Sequence, residues 1–362
     1  IVFMKNLYQF LMAVLFPAII VLIYCRILFK KEDKKRFKEK IFEKNFIERK
    51  ENNKLIWFHA ASIGEIFSVL PLIKKINKHN PRINFLITTT TISSAKLIKI
   101  EFKNWKNITH QYFPIDALHL VKAFLNNWNP STIIFVDSEI WPNFLMEIKK
   151  RKIPLVLING RITKKTFSKW ILLPQFAYDL FNTFNLCLAS SKESKKNLEK
   201  ITKKRVKYIG NLKFASNYNN LSLSKNNIKI LNNYNTWCAA SIHRGEEIFC
   251  LQTHIALKKI KKKILTIIIP RHINNVKYIK KQSKKLNLKT QVVDGNENIR
   301  NDLDVLIINS FGVLTKYFNY CQNIFIGKSI LPRLKSVGGQ NPIEAAKLGC
   351  KIYHGQYVYN FK

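Results

Sequence analysis

The chain has 362 residues, with 62 Lys and Arg against 22 Asp and Glu and a formal net charge of +40. Its length calls for one very large or two ordinary domains, and the scattered six cysteines and eight histidines, without a C-x-x-C pair or an H-E-x-x-H cluster, argue against a disulfide framework and a structural zinc site. The charge points to anionic partners, yet the lysines are spread along the whole chain and no zinc-finger or RNP signature supports a nucleic-acid module.

Leu7 to Cys25 is almost wholly apolar, with Gln9 its only strongly polar side chain and Pro17 its only breaker. This nearly reaches the ~20 residues that span a bilayer. No small-residue cleavage site follows, so residues 1–30 are expected to be an uncleaved membrane anchor. The basic run Arg26, Lys30, Lys31, Lys34, Lys35, Arg36, Lys38 and Lys40 comes next, in a connecting segment over 31–54. The positive-inside rule places it on the cytoplasmic side, where it suits anionic lipid head groups.

From Leu55 short apolar strands alternate with helices. Strands are expected at 55–59, 84–88, 132–136, 154–158, 186–189 and 206–209. A polar stretch, Ser216 to Asn235, reads as a linker. Strands resume at 237–240, 265–269, 290–293, 305–308, 324–326 and 351–353. Such alternation means parallel sheets with helices on both faces. The fold class is therefore α/β, with two Rossmann-like domains, 55–215 and 236–362, facing across a cleft.

The candidate chemistry sits where strands end. Trp57-Phe58-His59-Ala60-Ala61-Ser62-Ile63-Gly64-Glu65 runs from a strand through a tight turn into an amphipathic helix. A helix N-terminus favours the carboxylate form, so Glu65 is expected to be ionised near pH 7 and able to accept a proton from a substrate hydroxyl. A carboxylate that merely offsets the helix dipole is the plainer reading. Asp137-Ser138-Glu139 ends another strand, and Trp141-Pro142 opens a helix. Arg161, after the next strand, suits a phosphate or carboxylate. Lys213, in Gly210-Asn211-Leu212-Lys213-Phe214, would offset negative charge.

In the second half, Ser241-Ile242-His243-Arg244-Gly245-Glu246-Glu247 joins a strand to a helix, and Ser241 with the two glutamates reads as a helix start. Pro270-Arg271-His272 ends the next strand, Phe311-Gly312-Val313 another. Gly338-Gly339-Gln340-Asn341-Pro342-Ile343-Glu344 leads into a helix, offering backbone N–H groups to a phosphate and Glu344 to a ribose. It is neither the dinucleotide fingerprint nor a P-loop. Together these residues suggest a nucleotide-sugar donor in the second domain and an acceptor in the first.

These motifs resemble the Kdo transferases, inverting GT-B-type glycosyltransferases that move 3-deoxy-D-manno-octulosonic acid (Kdo) from CMP-Kdo to a lipid A precursor. The resemblance covers His59–Glu65, Asp137–Asn143, Asn159–Thr163, Gly210–Phe214, Ser241–Glu247, Pro270–His272 and Gly338–Glu344. It implies Glu65 as general base, with Glu139 and Lys213 supporting the transition state. It also implies CMP binding by Ser241, His243, Pro270, Arg271, His272, Phe311, Gly312, Val313, Asn341, Pro342, Ile343 and Glu344. Acceptor contacts are expected from Ser62, Gly64, Asp137, Trp141 and Arg161. No cofactor or metal is expected, since the leaving group is a monophosphate. The implied setting is the bacterial inner membrane, on its cytoplasmic face, in lipopolysaccharide synthesis. The sequence departs from the family pattern at Asp137, Gly160, Ile242, Asn309–Val313, Lys328 and Gln340. Family members continue beyond Lys362, so a truncated sequence is expected. A transferase using a UDP-sugar and a basic nucleic-acid-binding protein are the alternatives.

Overall fold

Apolar residues build one N-terminal helix, α1 (Val2–Leu28), with Pro17 inside it. At 1.5 Å per residue it is about 40 Å long, and it is long and apolar enough to cross a membrane. One face nevertheless packs against the domain that follows. Ile19, Ile20, Ile23 and Ile27 meet Phe37, Ile41, Phe42 and Ile115. The Phe16 ring lies edge-on to His119, 5.0 Å between centroids. The segment expected to connect is clamped rather than loose. Glu32 takes Arg26 at 2.9 Å and Lys40 at 2.6 Å, Arg36 pairs with Glu39 at 2.6 Å, and Glu39 accepts the Tyr112 N–H. Three cations of the expected head-group site are therefore turned to internal carboxylates, because burying Glu32 and Glu39 requires partners. Lys30, Lys31, Lys34, Lys35 and Lys38 remain exposed.

The computed structural model describes residues 2–50, 53–212, 223–294, 297–310 and 313–358. The chain divides into two units, Ile1–Asn217 and Tyr218–Lys362. In the first, α1 is followed by β1 (Leu55–His59), α2 (Ile63–His79), β2 (Asn84–Thr89), α3 (Ile92–Glu101), β3 (Ile108–Tyr112), α4 (Leu118–Trp128), β4 (Thr132–Val136), α5 (Pro142–Lys150), β5 (Leu155–Gly160), α6 (Lys164–Trp170), α7 (Pro174–Phe181), β6 (Leu186–Ala189), α8 (Lys192–Thr202) and β7 (Lys207–Tyr208). The strands form one parallel sheet, ordered β3-β2-β1-β4-β5-β6-β7. Alternate residues of β1 point to opposite faces, so Trp57 joins one core layer and Phe58 the other.

The second unit holds α9 (Lys225–Asn232), β8 (Asn235–Ile242), α10 (Glu246–Ile260), β9 (Ile264–Pro270), α11 (Val276–Lys285), β10 (Thr290–Val293), β11 (Val305–Ile308), α12 (Leu314–Phe318), β12 (Asn323–Ile326), α13 (Ile343–Lys347) and β13 (Lys351–His354). Its sheet is parallel, ordered β10-β11-β9-β8-β12-β13. The expected linker needs correction. Ser224 caps α9 by accepting the Asn227 N–H, and Ile230 and Leu231 bury into the core. The remainder of that stretch, 216–222, lies outside the described residues.

Each sheet reverses its winding once. In the first, successive strands step from β1 to β2 and β3, then return to place β4 on the other side of β1. In the second the same reversal falls between β8 and β12. Open parallel sheets bind ligands at such a switch point, outside the carboxyl ends of the strands.

Candidate active site

At the first switch point the ends of β1 and β4 bring two carboxylates together. Ser62 is the N-cap of α2, and Glu65 is three residues on. The Ser62 hydroxyl donates to Glu65 Oε1 at 2.7 Å, and the Ala61 N–H donates to Oε2 at 2.7 Å. Ser62 Oγ in turn accepts the Glu65 N–H at 3.4 Å, a capping box whose carboxylate reaches the Ala61 N–H instead of the N-cap N–H, so the helix-start role of Glu65 is real. Charge decides what else it does. Burial, with the nearby charges of Glu139 and Asp137, raises the Glu65 carboxyl above its ordinary value of 4.5, against hydrogen bonds from Ser62 and Ala61. Burial and the neighbouring carboxylates therefore outweigh the hydrogen bonds that favour the charged form.

Glu139 is treated oppositely. Burial alone would raise it, but His59 and Trp141 outweigh burial and hold it low. His59 Nε2 lies 3.1 Å from Glu139 Oε2, and Trp141 Nε1 donates to the same oxygen at 2.7 Å. An ionised carboxylate only accepts, so His59 Nε2 carries a proton. The His59 ring is fixed by Thr88 Oγ1, 3.0 Å from Nδ1, and by stacking on Phe113 at 3.8 Å. The sequence motif contained His59, but no role followed from it; a fully buried histidine at a strand end was the signal.

Asp116, another residue that sequence reasoning passed over, secures this corner. It caps α5, whose own N-cap Trp141 offers no capping side chain. Its carboxylate accepts the Asn143 and Phe144 N–H groups at 3.0 Å each, and Tyr8 of α1 donates to it at 2.8 Å. Burial pushes Asp116 up to about 7 in spite of these bonds. The folded state therefore holds a proton that the unfolded chain releases above its ordinary value of 3.8. Its contribution to stability is full below that value and is lost as pH rises towards 7. Urea titrations should show the first unit losing on the order of 1–3 kcal/mol between about pH 5 and about pH 8, and Asp116→Asn should flatten that slope. An unchanged slope in the variant would remove Asp116 as its source.

The other first-unit candidates are placed as follows. Gly64 lies in the first turn of α2. Asp137 takes a left-handed backbone, φ 66°, as β4 ends. Its carbonyl accepts the Arg161 N–H at 3.2 Å, and Ser138 Oγ bridges to the Arg161 carbonyl at 2.8 Å. Asp137, Ser138 and exposed Arg161 line a cavity of about 180 Å³ whose other walls include Ile140, Trp170 and Phe181. Lys213 lies outside the described residues.

At the second switch point the order comes from Glu246. Its Oε2 accepts the N–H groups of His243 at 2.8 Å and Lys328 at 2.7 Å, and its Oε1 those of Ser329 at 2.9 Å and Ile330 at 3.2 Å. One buried carboxylate thus joins the β8 turn to the β12 turn. Gly327 must be glycine, since a Cβ there would stand 2.5 Å from Ile242 Cα. Lys328 adopts φ 63°, which accounts for the glycine the family pattern expects at this position.

Around this frame His243 meets Gln340, 3.2 Å between Nε2 atoms, and crosses His272 edge-on at 5.6 Å. Burial, together with His272, Lys328 and Arg271, keeps His243 below its ordinary value, against the opposing charge of Glu246. A group rich in cations and ring nitrogens therefore gathers beyond β8 and β9. Ser241 stands at the end of β8 with φ 55°, and Pro270 closes β9. Asn341 Oδ1 accepts the Ile343 N–H at 3.0 Å, and Pro342 and Glu344 flank the start of the five-residue α13. Val313 precedes α12. Phe311 and Gly312 lie outside the described residues. Among the described residues no group of three or more His, Cys, Asp or Glu is placed to hold a metal.

A family model described as 3-deoxy-D-manno-octulosonic-acid transferase (kdotransferase) matches residues 35–216. A 3-deoxy-D-manno-octulosonic acid transferase from Rickettsia bellii is 34% identical over 97% of this chain and 82% of its own length. The chain belongs to the Kdo transferase family. A probable mitochondrial Kdo transferase of Arabidopsis thaliana is 31% identical over 85% of this chain and 70% of its own. Membership makes the chain a glycosyltransferase that transfers Kdo, in keeping with lipopolysaccharide synthesis. A putative UDP-N-acetylglucosamine 2-epimerase from Listeria monocytogenes shares the fold, with a TM-score of 0.55 and 11% identity over 83% of this chain and 78% of that one. That likeness, with the two parallel sheets, gives the Kdo transferase chain its GT-B-type architecture.

Proposed function

We propose that this Kdo transferase takes Kdo from CMP-Kdo and passes it to a lipid A precursor, with Glu65 as general base. The observation that carries the reading is the pair of carboxylates, Glu65 raised and Glu139 lowered, at one switch point. Two carboxyls whose surroundings drive their pKa values apart mark an acid–base assignment. Glu65 takes the proton from an acceptor hydroxyl. The freed oxygen forms a bond to the anomeric carbon as the bond to CMP breaks, and CMP leaves with the electron pair from the opposite face. Glu139 and Lys213 support the charge that develops. Ser62, Gly64, Asp137, Trp141 and Arg161 orient the acceptor. Ser241, His243, Pro270, Arg271, His272, Phe311–Val313 and Asn341–Glu344 hold the nucleotide. Arg271 and the two histidines meet the phosphate charge, so the step needs no metal or other cofactor. The apolar α1 brings these groups to the cytoplasmic face of the inner membrane, without nucleic acid as a partner.

The test is a mass-spectrometric transfer assay on membranes holding the protein, given a tetraacylated lipid A precursor and freshly generated CMP-Kdo. The expected product carries one or more added Kdo masses, and CMP competes while UDP does so far less. Inhibition by UDP in preference to CMP would replace the donor. Failure of transfer by a folded, CMP-binding protein would replace the acceptor.

A further inference from the structure

We propose that Thr88, near the end of β2, is a positioning residue for Kdo transfer. Its hydroxyl, held by Trp57, gives its proton to one ring nitrogen of His59 and so commits the other to Glu139. The proposal deepens the reading of Glu139 as a charge that supports transfer, and it rests on that reading.

The arrangement starts from Trp57. Its side chain is fully buried and surrounded by the rings of Phe113, Phe124, Phe135 and Phe144. Those rings offer the indole N–H no oxygen, and a buried donor without an acceptor is costly. The strand register supplies one. Trp57 pairs with Leu86 of β2, and His59 pairs with Thr88. Residues two apart on a strand share a face, so Thr88 stands beside His59 and diagonally across from Trp57. Trp57 Nε1 donates to Thr88 Oγ1 at 2.8 Å.

An indole N–H only donates, so this bond makes Thr88 Oγ1 an acceptor and leaves the hydroxyl proton to be placed. Two acceptors are in reach: His59 Nδ1 at 3.0 Å and the Phe58 carbonyl at 3.5 Å. The shorter contact takes the proton, because hydrogen bonds weaken steeply at the longer distance. Nδ1 then accepts and is bare, and the His59 ring proton sits on Nε2, 3.1 Å from Glu139 Oε2. Phe113 stacks on the ring and Phe135 meets it edge-on at 5.3 Å, which fixes its plane. Trp57, Thr88 and His59 are all fully buried, so water does not replace a missing member. With His59 and Trp141 both on Oε2, Glu139 Oε1 takes no donor among the described residues and presents the charge.

Nuclear magnetic resonance of the full chain in detergent, with nitrogen-15 in its histidines, reports the ring directly, and His59→Gln identifies its signals. The expected spectrum has His59 protonated on Nε2 and bare on Nδ1. A proton on Nδ1 would overturn the proposal without any variant at Thr88. Thr88→Val keeps the shape and suits a strand but loses the hydroxyl; Thr88→Ser keeps it. The valine variant should lower kcat about tenfold, the worth of one hydrogen bond, with KM for CMP-Kdo unchanged, and the serine variant should stay within about threefold of the parent. In a Glu139→Gln background the valine change should cost no further turnover, because the two residues act as one unit. A folded Thr88→Val protein with parental kcat overturns the role, as does a loss of the same size with or without the Glu139 carboxylate. Parental turnover in Glu139→Gln alone would remove the supporting charge from the proposed function, and the role of Thr88 with it, while the ring spectrum would still report the Trp57–Thr88–His59 bonds.

Discussion

Glu65→Gln is expected to lower Kdo transfer by about 10²–10⁴-fold while the first unit stays folded. The capping box makes this substitution informative. Glutamine at the same position keeps an oxygen for the Ala61 N–H or the Ser62 hydroxyl, the two groups the carboxylate now accepts from. Helix α2 should therefore survive, and what is lost is the ability to take a proton. A variant that keeps near-parental initial rates at saturating donor would reduce Glu65 to a helix cap. The pH profile carries a second sign. A base raised above 4.5 must be deprotonated to work, so the acid limb of the rate should lie above the ordinary carboxylate range. The charge of Glu139 helps to raise Glu65, so Glu139→Gln should move that limb to lower pH even as it slows turnover. A limb that stays in place would separate the two carboxylates electrostatically.

The sheets were legible because buried parallel strands read as continuous apolar runs. Strands at 55–59, 132–136, 186–189, 290–293 and 305–308 fall where the sequence places them. The strand β3 was not legible. Its Ile108-Thr109-His110-Gln111-Tyr112 carries polar residues whose partners come from elsewhere in the fold. Gln111 accepts from Ile47 and Trp128, and His110 meets Arg36 and Thr89. Helix α9 was hidden among asparagines that usually punctuate loops; Asn227 is instead buried, bonded to the backbone at Glu297 and Ile299. The candidate site was legible as residue types at strand ends. Its electrostatics were not, since the pKa directions of Glu65 and Glu139 depend on burial and on His59, which arrives from a neighbouring strand. Glu246 looked like one of two helix-start acids, and nothing in its local sequence announced the β12 turn that it binds.

The largest stability effect is expected at that residue. Glu246→Ala would leave four backbone N–H donors, those of His243, Lys328, Ser329 and Ile330, without their acceptor. An unsatisfied buried donor costs about 1–3 kcal/mol, so even with partial hydration a loss of about 4 kcal/mol or more is expected. That is a large share of the roughly 5–15 kcal/mol by which a domain is stable. Glutamine should not rescue it. Each carboxylate oxygen accepts two donors, so either orientation of a Gln amide would turn its NH₂ towards two N–H groups. Glu247→Ala, which frees only the Gly245 N–H, should cost about 1 kcal/mol. Hydrogen exchange and urea unfolding of the second unit would distinguish these variants, and CMP binding should fall with Glu246→Gln because His243 and Lys328 lose their common anchor. A Glu246→Gln protein that melts like the parent would mean that the two turns are joined by other contacts, and that the donor-side residues owe their placement to the sheet alone.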